Sequence, residues 1–166
     1  MLSAKLIRYG GLAALLAGVL RVVASFIPAS PQPAAAVEIL YVVIDVLILL
    51  GLIGVYGYQR EKTGWWDRLG LLLTLIGIAI IRGRAEWYAA GATMVSVGFS
   101  LLAIGSWKNA RLPRAVSVLW ILSTVIGVGG YVVKAPGVTF VIAGVAFGLG
   151  LIIAGVKIWS APASAL

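Results

Sequence analysis

Apolar residues follow one another in long runs along this chain, and short segments rich in charge, proline or tryptophan separate the runs. A helix of about 20 apolar residues spans the roughly 30 Å hydrocarbon core of a bilayer. The pattern therefore predicts an all-α polytopic transmembrane bundle of six helices, forming a single domain over residues 1–166. The predicted helices cover about residues 6–27, 37–58, 66–81, 86–107, 115–133 and 138–159.

The even-numbered predicted helices share a similar ending. Ile53-Gly-Val-Tyr, Ile104-Gly-Ser-Trp and Ala154-Gly-Val-Lys each occur near the same membrane surface. One interpretation is a chain of three consecutive helical hairpins. The other is that glycine, aromatic and basic residues are common at that interface.

Composition excludes several kinds of chemistry. The chain is 62% hydrophobic and 11% charged, and it contains no cysteine and no histidine. Soluble domains carry about 25% charged residues. Disulfides, thiol chemistry, Cys/His metal sites and His-ligated haem are therefore absent. There is no phosphate-binding glycine loop, and no acidic cluster in the spans suited to a metal. We expect no enzymatic activity, no cofactor and no bound metal.

The positive charge predicts topology. Thirteen Lys and Arg stand against five acidic residues, giving a net charge of +8. These basic residues lie beside the predicted spans, which favours membrane lipids over nucleic acid as partners. The basic bias places segments 59–68 and 108–114 in the cytoplasm and segments 28–36 and 134–137 outside. We expect a multi-pass protein of the cell membrane with both termini cytoplasmic.

Asp45 is the deepest acidic residue of the predicted spans. A charged residue inside a span costs roughly 3 kcal/mol and commonly marks a functional site. Arg21, in the preceding helix, lies at a similar depth, about 9 Å from the helix end. We predict that Arg21 and Asp45 are within salt-bridge reach, directly or through one water. The pair is either part of a binding or proton-relay site or a static clamp between helices, with Arg21 snorkelling outward.

Further polar residues of several helices lie near the same surface. If their faces converge, they line an outward-facing vestibule of about 300 Å³ or more. If they do not, they form an ordinary interfacial belt whose hydroxyl groups bond to their own helices. The candidate polar site consists of Arg21, Glu38, Tyr41, Asp45, Glu86, Tyr88, Thr93 and Tyr131.

Small residues at helical spacing predict close helix packing. Helix 1 has such a face at Gly11, Ala14 and Gly18, and helix 6 has one at Gly144 and Gly148. Small side chains let backbones approach in lipid, either within one protomer or between membrane subunits or copies of this chain.

Three short motifs carry a resemblance. They are Tyr9-Gly-Gly-Leu-Ala, Gly51-Leu-Ile-Gly-Val-Tyr before a charged turn, and Arg111-Leu-Pro-Arg. With them the chain resembles small six-span bacterial integral membrane proteins whose activity is uncharacterised, a resemblance that implies no functional residues. The six helices, the length and an Ala13-xxx-Ala17 pattern are also similar to substrate-binding subunits of energy-coupling-factor vitamin transporters, and no site residue is carried over from them.

We expect a non-enzymatic accessory or structural subunit that acts through helix and lipid contacts. The alternative is a small-solute binding or transport protein that uses the outward-facing polar vestibule. The ligand, if there is one, is not specified by the sequence.

Overall fold

The computed structural model describes residues 3–28, 34–60, 63–83, 85–109 and 111–162. Within these residues the chain forms six α-helices and a short 3₁₀ helix, Ala85–Trp87, which confirms the predicted all-α class. The α-helices are α1 (Ala4–Ala24), α2 (Ala35–Gln59), α3 (Trp65–Gly83), α4 (Tyr88–Asn109), α5 (Arg114–Val132) and α6 (Pro136–Trp159).

Local chemistry explains several helix ends. The Ser3 hydroxyl caps α1 by accepting a hydrogen bond from the Leu6 N–H at 3.2 Å. The α-helix ends at Ala24, before the predicted end at Ile27, and the Phe26 and Ile27 N–H groups then bond only three residues back. Pro28 has no N–H and disfavours a helical conformation at Ile27, so this last turn goes no further. Pro136 begins α6, where its missing N–H costs nothing. The rest of the predicted proline-rich loop, residues 29–33, lies outside the described residues.

The helices identify a multi-pass membrane protein. Among the described residues, α1, α2, α4, α5 and α6 are long and apolar enough to cross a membrane. The predicted span in α3 is not among these five, since Asp67, Arg68 and Arg82 lie on that helix. α3 nevertheless packs extensively against α4 and belongs to the bundle.

The six helices close into a ring. Consecutive helices form hairpin-like contacts in the pairs α1–α2, α3–α4 and α5–α6, in agreement with one of the two interpretations of the shared helix endings. α6 also packs along α1, and α4 packs against α5. The last joint, between α2 and α3, has far fewer contacts than the other five. The α3–α4 hairpin is therefore attached to the rest of the bundle mainly through the contact between α4 and α5.

Close backbone approach holds α1 against α6. A Cβ added to Gly18 would lie 2.5 Å from the Gly148 carbonyl oxygen, and one added to Gly148 would lie 2.7 Å from the Gly18 oxygen. Both positions require glycine, because a methyl group does not fit at these distances. On the other side of α1, Ala14 packs against Gly51 of α2.

Hydroxyl groups join α4 to α5. The Thr124 Oγ1 donates to the Ser96 carbonyl oxygen at 2.8 Å, and the Ser100 hydroxyl lies 2.8 Å from the same Thr124 oxygen. Hydrogen bonds between membrane helices contribute about 0.6 kcal/mol on average, so these contacts stabilise the α4–α5 pair modestly.

Aromatic side chains fill the interior of the bundle near the middle of the helices. Phe99 of α4 makes edge-to-face contacts with Trp120 of α5 and Phe147 of α6, with centroid distances of 4.9 Å and 4.8 Å. Phe99 and Trp120 are fully buried. Phe147 also lines a cavity at the end of the bundle where α1 ends and α2 begins, which we call the cavity end.

Candidate functional site

The cavity end of the ring contains a partly open cavity of about 110 Å³, which we call the central cavity. Side chains from all six described helices line it. Its apolar wall includes Ile44, Ile48, Ile78, Val95, Phe140 and Phe147. Its polar lining includes Arg21, Tyr41, Asp45, Arg82, Tyr88, Thr93, Ser96, Ser123 and Tyr131.

An ion pair crosses the weakest joint of the ring. The Arg82 Nε of α3 donates to Oδ2 of Asp45 on α2 at 2.6 Å, and an Nη2 of the same guanidinium contacts the same oxygen. The Asp45 side chain is 17% exposed and that of Arg82 is 38% exposed. Two donors on one carboxylate form a strong, oriented contact. The pair therefore links α2 to α3 where few other contacts do.

Arg21 and Asp45, predicted to pair directly or through one water, do not form a direct ion pair, and the water-mediated contact stays a prediction. Asp45 is bonded to Arg82, although Arg21 lines the same cavity and attracts Asp45 electrostatically. Within the described residues, the Arg21 guanidinium has no ion pair and donates no hydrogen bond. A Cβ on Gly144 would lie 3.4 Å from its Nη2, so the glycine provides room for the guanidinium against α6. Arg21 is thus a second cation in the cavity.

Three tyrosines line the same cavity as the charged groups. Tyr41 is half-buried, whereas Tyr88 and Tyr131 are 46% and 43% exposed and lie at the cavity mouth. The Tyr131 ring packs edge-on against Phe140, with centroids 5.2 Å apart. Phenol groups can both donate and accept hydrogen bonds, so the mouth can bind polar groups of either kind.

The hydroxyl groups of Thr93 and Ser123 are already engaged by the backbone. Thr93 Oγ1 donates to the Ala89 carbonyl at 2.8 Å, within its own helix. The Ser123 hydroxyl donates to the Ala143 carbonyl of α6 at 2.9 Å. Both oxygens therefore offer the cavity acceptor sites rather than donors.

The structure brings together six of the eight residues of the candidate polar site and leaves two outside. Glu38, in the first turn of α2, and Glu86, in the 3₁₀ helix, are exposed and do not line the cavity. The cavity is also smaller than the vestibule of about 300 Å³ that was anticipated. The six that line it are Arg21, Tyr41, Asp45, Tyr88, Thr93 and Tyr131.

Sequence reasoning missed the role of Arg82. The prediction ended helix 3 at Ile81 and placed Arg82 in a connection, but α3 continues through Gly83. The additional residues fix Arg82 on the helix, with its side chain turned towards α2. A basic residue in the last turn of a helix, where the macrodipole favours it, was the available signal.

The predicted packing residues lie at contacts inside the protomer. Gly11 approaches Ile158, and Gly18 approaches Gly148, in both cases between α1 and α6. Gly144 faces Arg21 and Ser25 of α1. The small face of α6 is thus covered by α1.

A second buried carboxylate lies at the other end of the bundle. Asp67 is 1% exposed, and its Oδ2 accepts the Gly64 N–H at 2.8 Å, which caps the start of α3. The side chain packs against Gly105 of α4. Its Oδ1, the Gln59 amide and the Ser106 hydroxyl have no hydrogen-bond partner among the described residues.

The arrangement of the central cavity is suited to binding. Two guanidinium groups, one carboxylate and several hydroxyl groups lie within a mostly apolar ring, as in typical small-molecule sites. Among the described residues no cluster of three His, Cys, Asp or Glu is placed to hold a metal ion.

Comparison of the chain with protein-family models, curated proteins and solved structures found no match.

Proposed function

We propose that this multi-pass membrane protein binds a small solute in the central cavity. The observation that carries the proposal is the convergence of polar side chains from five helices, α1 to α5, on one volume that α6 closes with apolar residues. Charged groups are costly within a membrane, and those that persist commonly face a ligand path or a water-filled cavity. A belt of interfacial residues would instead be distributed around the rim of the bundle.

The charges themselves favour a binding site over a static clamp. A clamp between α2 and α3 needs only Asp45 and Arg82, which already form an ion pair. Arg21 adds a cation that this pair does not require. A ligand group that accepts hydrogen bonds would give this guanidinium a partner.

The accessory role expected from the sequence has less support. It relied on small-residue faces such as Gly144 and Gly148 for contacts with other subunits, and α1 covers both glycines. Such a role would have to use the large apolar side chains on the outside of the bundle, which lipid also contacts.

A cavity-filling variant tests the proposal. Ala92 lines the cavity, whereas Ala90 on the same helix is exposed. We expect purified protein to be stabilised against heat by at least one solute of a broad panel of small acids, amines, alcohols and amides. Ala92→Phe should abolish this stabilisation, and Ala90→Phe should retain it. Absence of any stabilising solute, or equal responses of the two variants, would contradict the proposal.

A further inference from the structure

We infer that the solute is a small organic monoanion, a carboxylate of about four to six non-hydrogen atoms, whose charged group binds to Arg21. The inference rests on the proposed function and specifies its ligand. It follows from the charge balance, the geometry around Arg21 and the size of the cavity.

The charge balance favours an anion. Arg21 and Arg82 contribute two positive charges to the lining, and Asp45 contributes one negative charge. Because Asp45 is bonded to Arg82, the remaining charge is that of Arg21. An anionic ligand would neutralise it, whereas a cationic ligand would add a third positive charge to a site with one acid.

The surroundings of Arg21 leave its guanidinium available. No acidic group of the described residues lies within salt-bridge distance of it, and Gly144 provides space on the α6 side. A planar guanidinium presents paired N–H donors that match the two oxygens of a carboxylate. Tyr41, which lines the same cavity, can donate a further hydrogen bond.

The volume of the cavity and its apolar wall limit the size and the polarity of the rest of the ligand. The cavity has about 110 Å³, and an engineered protein cavity of about 150 Å³ accommodates benzene. About four to six non-hydrogen atoms therefore fit. Ile44, Ile78 and Phe147 line the wall, which favours a short hydrocarbon chain over a second charged group. This combination distinguishes a small carboxylate from an inorganic anion.

Matched probes test the inference at constant ionic strength and neutral pH. Sodium propionate, propionamide and propylammonium chloride share a three-carbon chain and differ in charge. We expect propionate to raise the melting temperature of the purified protein in a saturable manner, and the amide and the amine to have no saturable effect. Arg21→Gln should weaken propionate binding about tenfold or more, because hydrogen bonds to charged groups are strong. Arg68→Gln, an exposed arginine on α3 that does not line the cavity, should leave it unchanged.

The other outcomes separate this inference from the proposed function. If propionamide or propylammonium stabilises the protein and Ala92→Phe abolishes this effect, the ligand is not an anion, but the proposed binding function still holds. If chloride or phosphate binds as tightly as propionate, the inference that the ligand is an organic anion is wrong. Tighter binding of hexanoate would indicate a longer, lipid-derived acid and overturn the size limit. If Arg21→Gln does not fold, the charge preference of the wild-type protein still decides the question.

Discussion

Arg82 Nε lies 2.6 Å from Asp45 Oδ2, although 37 positions separate the two residues. The contact joins α3 to α2 at the joint of the ring with the fewest other contacts. It therefore both closes the helix ring and positions the acid at the wall of the central cavity.

Asp45→Asn should destabilise the protein more than Glu38→Gln. The first change leaves the Arg82 guanidinium without its anion, whereas Glu38 is exposed and has no ion pair within the described residues. Because Arg82 is partly exposed, we expect a loss of only about 1 kcal/mol for Asp45→Asn, a fall in melting temperature of about 2–4 °C. Glu38→Gln should stay within about 0.5 kcal/mol. Thermal unfolding in detergent measures both, and equal losses would show that water replaces Arg82.

Gly148→Ala should destabilise the bundle, while Gly129→Ala should not. The new methyl group at position 148 would meet the Gly18 carbonyl oxygen at 2.7 Å, whereas no atom of the described residues lies within 4 Å of one at position 129. Overpacking of this kind costs about 1–3 kcal/mol. At position 129, alanine should be neutral or stabilise the helix by up to about 1 kcal/mol. Thermal unfolding of the two variants in parallel tests the α1–α6 contact, and a neutral Gly148→Ala would refute it.

Thr124→Val should loosen the contact between α4 and α5. The substitution keeps the shape and removes the hydrogen bond to the Ser96 carbonyl and the contact with the Ser100 hydroxyl. Hydrogen bonds between membrane helices contribute about 0.6 kcal/mol on average, so we expect a loss of about 0.6–1.5 kcal/mol. Thr93→Val is the control, since among the described residues Thr93 Oγ1 bonds only to the Ala89 carbonyl of its own helix. The prediction fails if both variants melt at the same temperature.

Labelling tests the predicted topology, with both termini in the cytoplasm. The chain has no cysteine, so Thr63→Cys in the α2–α3 connection and Ala135→Cys before α6 would each provide a single thiol. The positive-inside bias predicts that an impermeant reagent labels position 135 on intact cells and position 63 only after permeabilisation. The reverse pattern would invert the orientation.

The hydrophobic pattern by itself was sufficient to predict the helices and their order. Apolar runs of spanning length, interrupted by proline and charge, permit little besides helices in a membrane. Because consecutive helices alternate in direction, the sequence also predicted that Arg21, Asp45 and Tyr131 lie near the same end of the bundle.

The tertiary structure alone decided which of these residues meet. Position along a helix gives depth, but the rotation of each helix and its neighbours in the ring depend on packing between distant segments. Arg21 and Arg82 both lie at about the same depth in the bundle as Asp45. Because α3 continues to Gly83, it is Arg82 that contacts Asp45 directly. Glu38 and Glu86 lie near the same end of the bundle, yet their exposed positions keep them outside the cavity. The cavity volume likewise depends on how tightly the six helices pack around it.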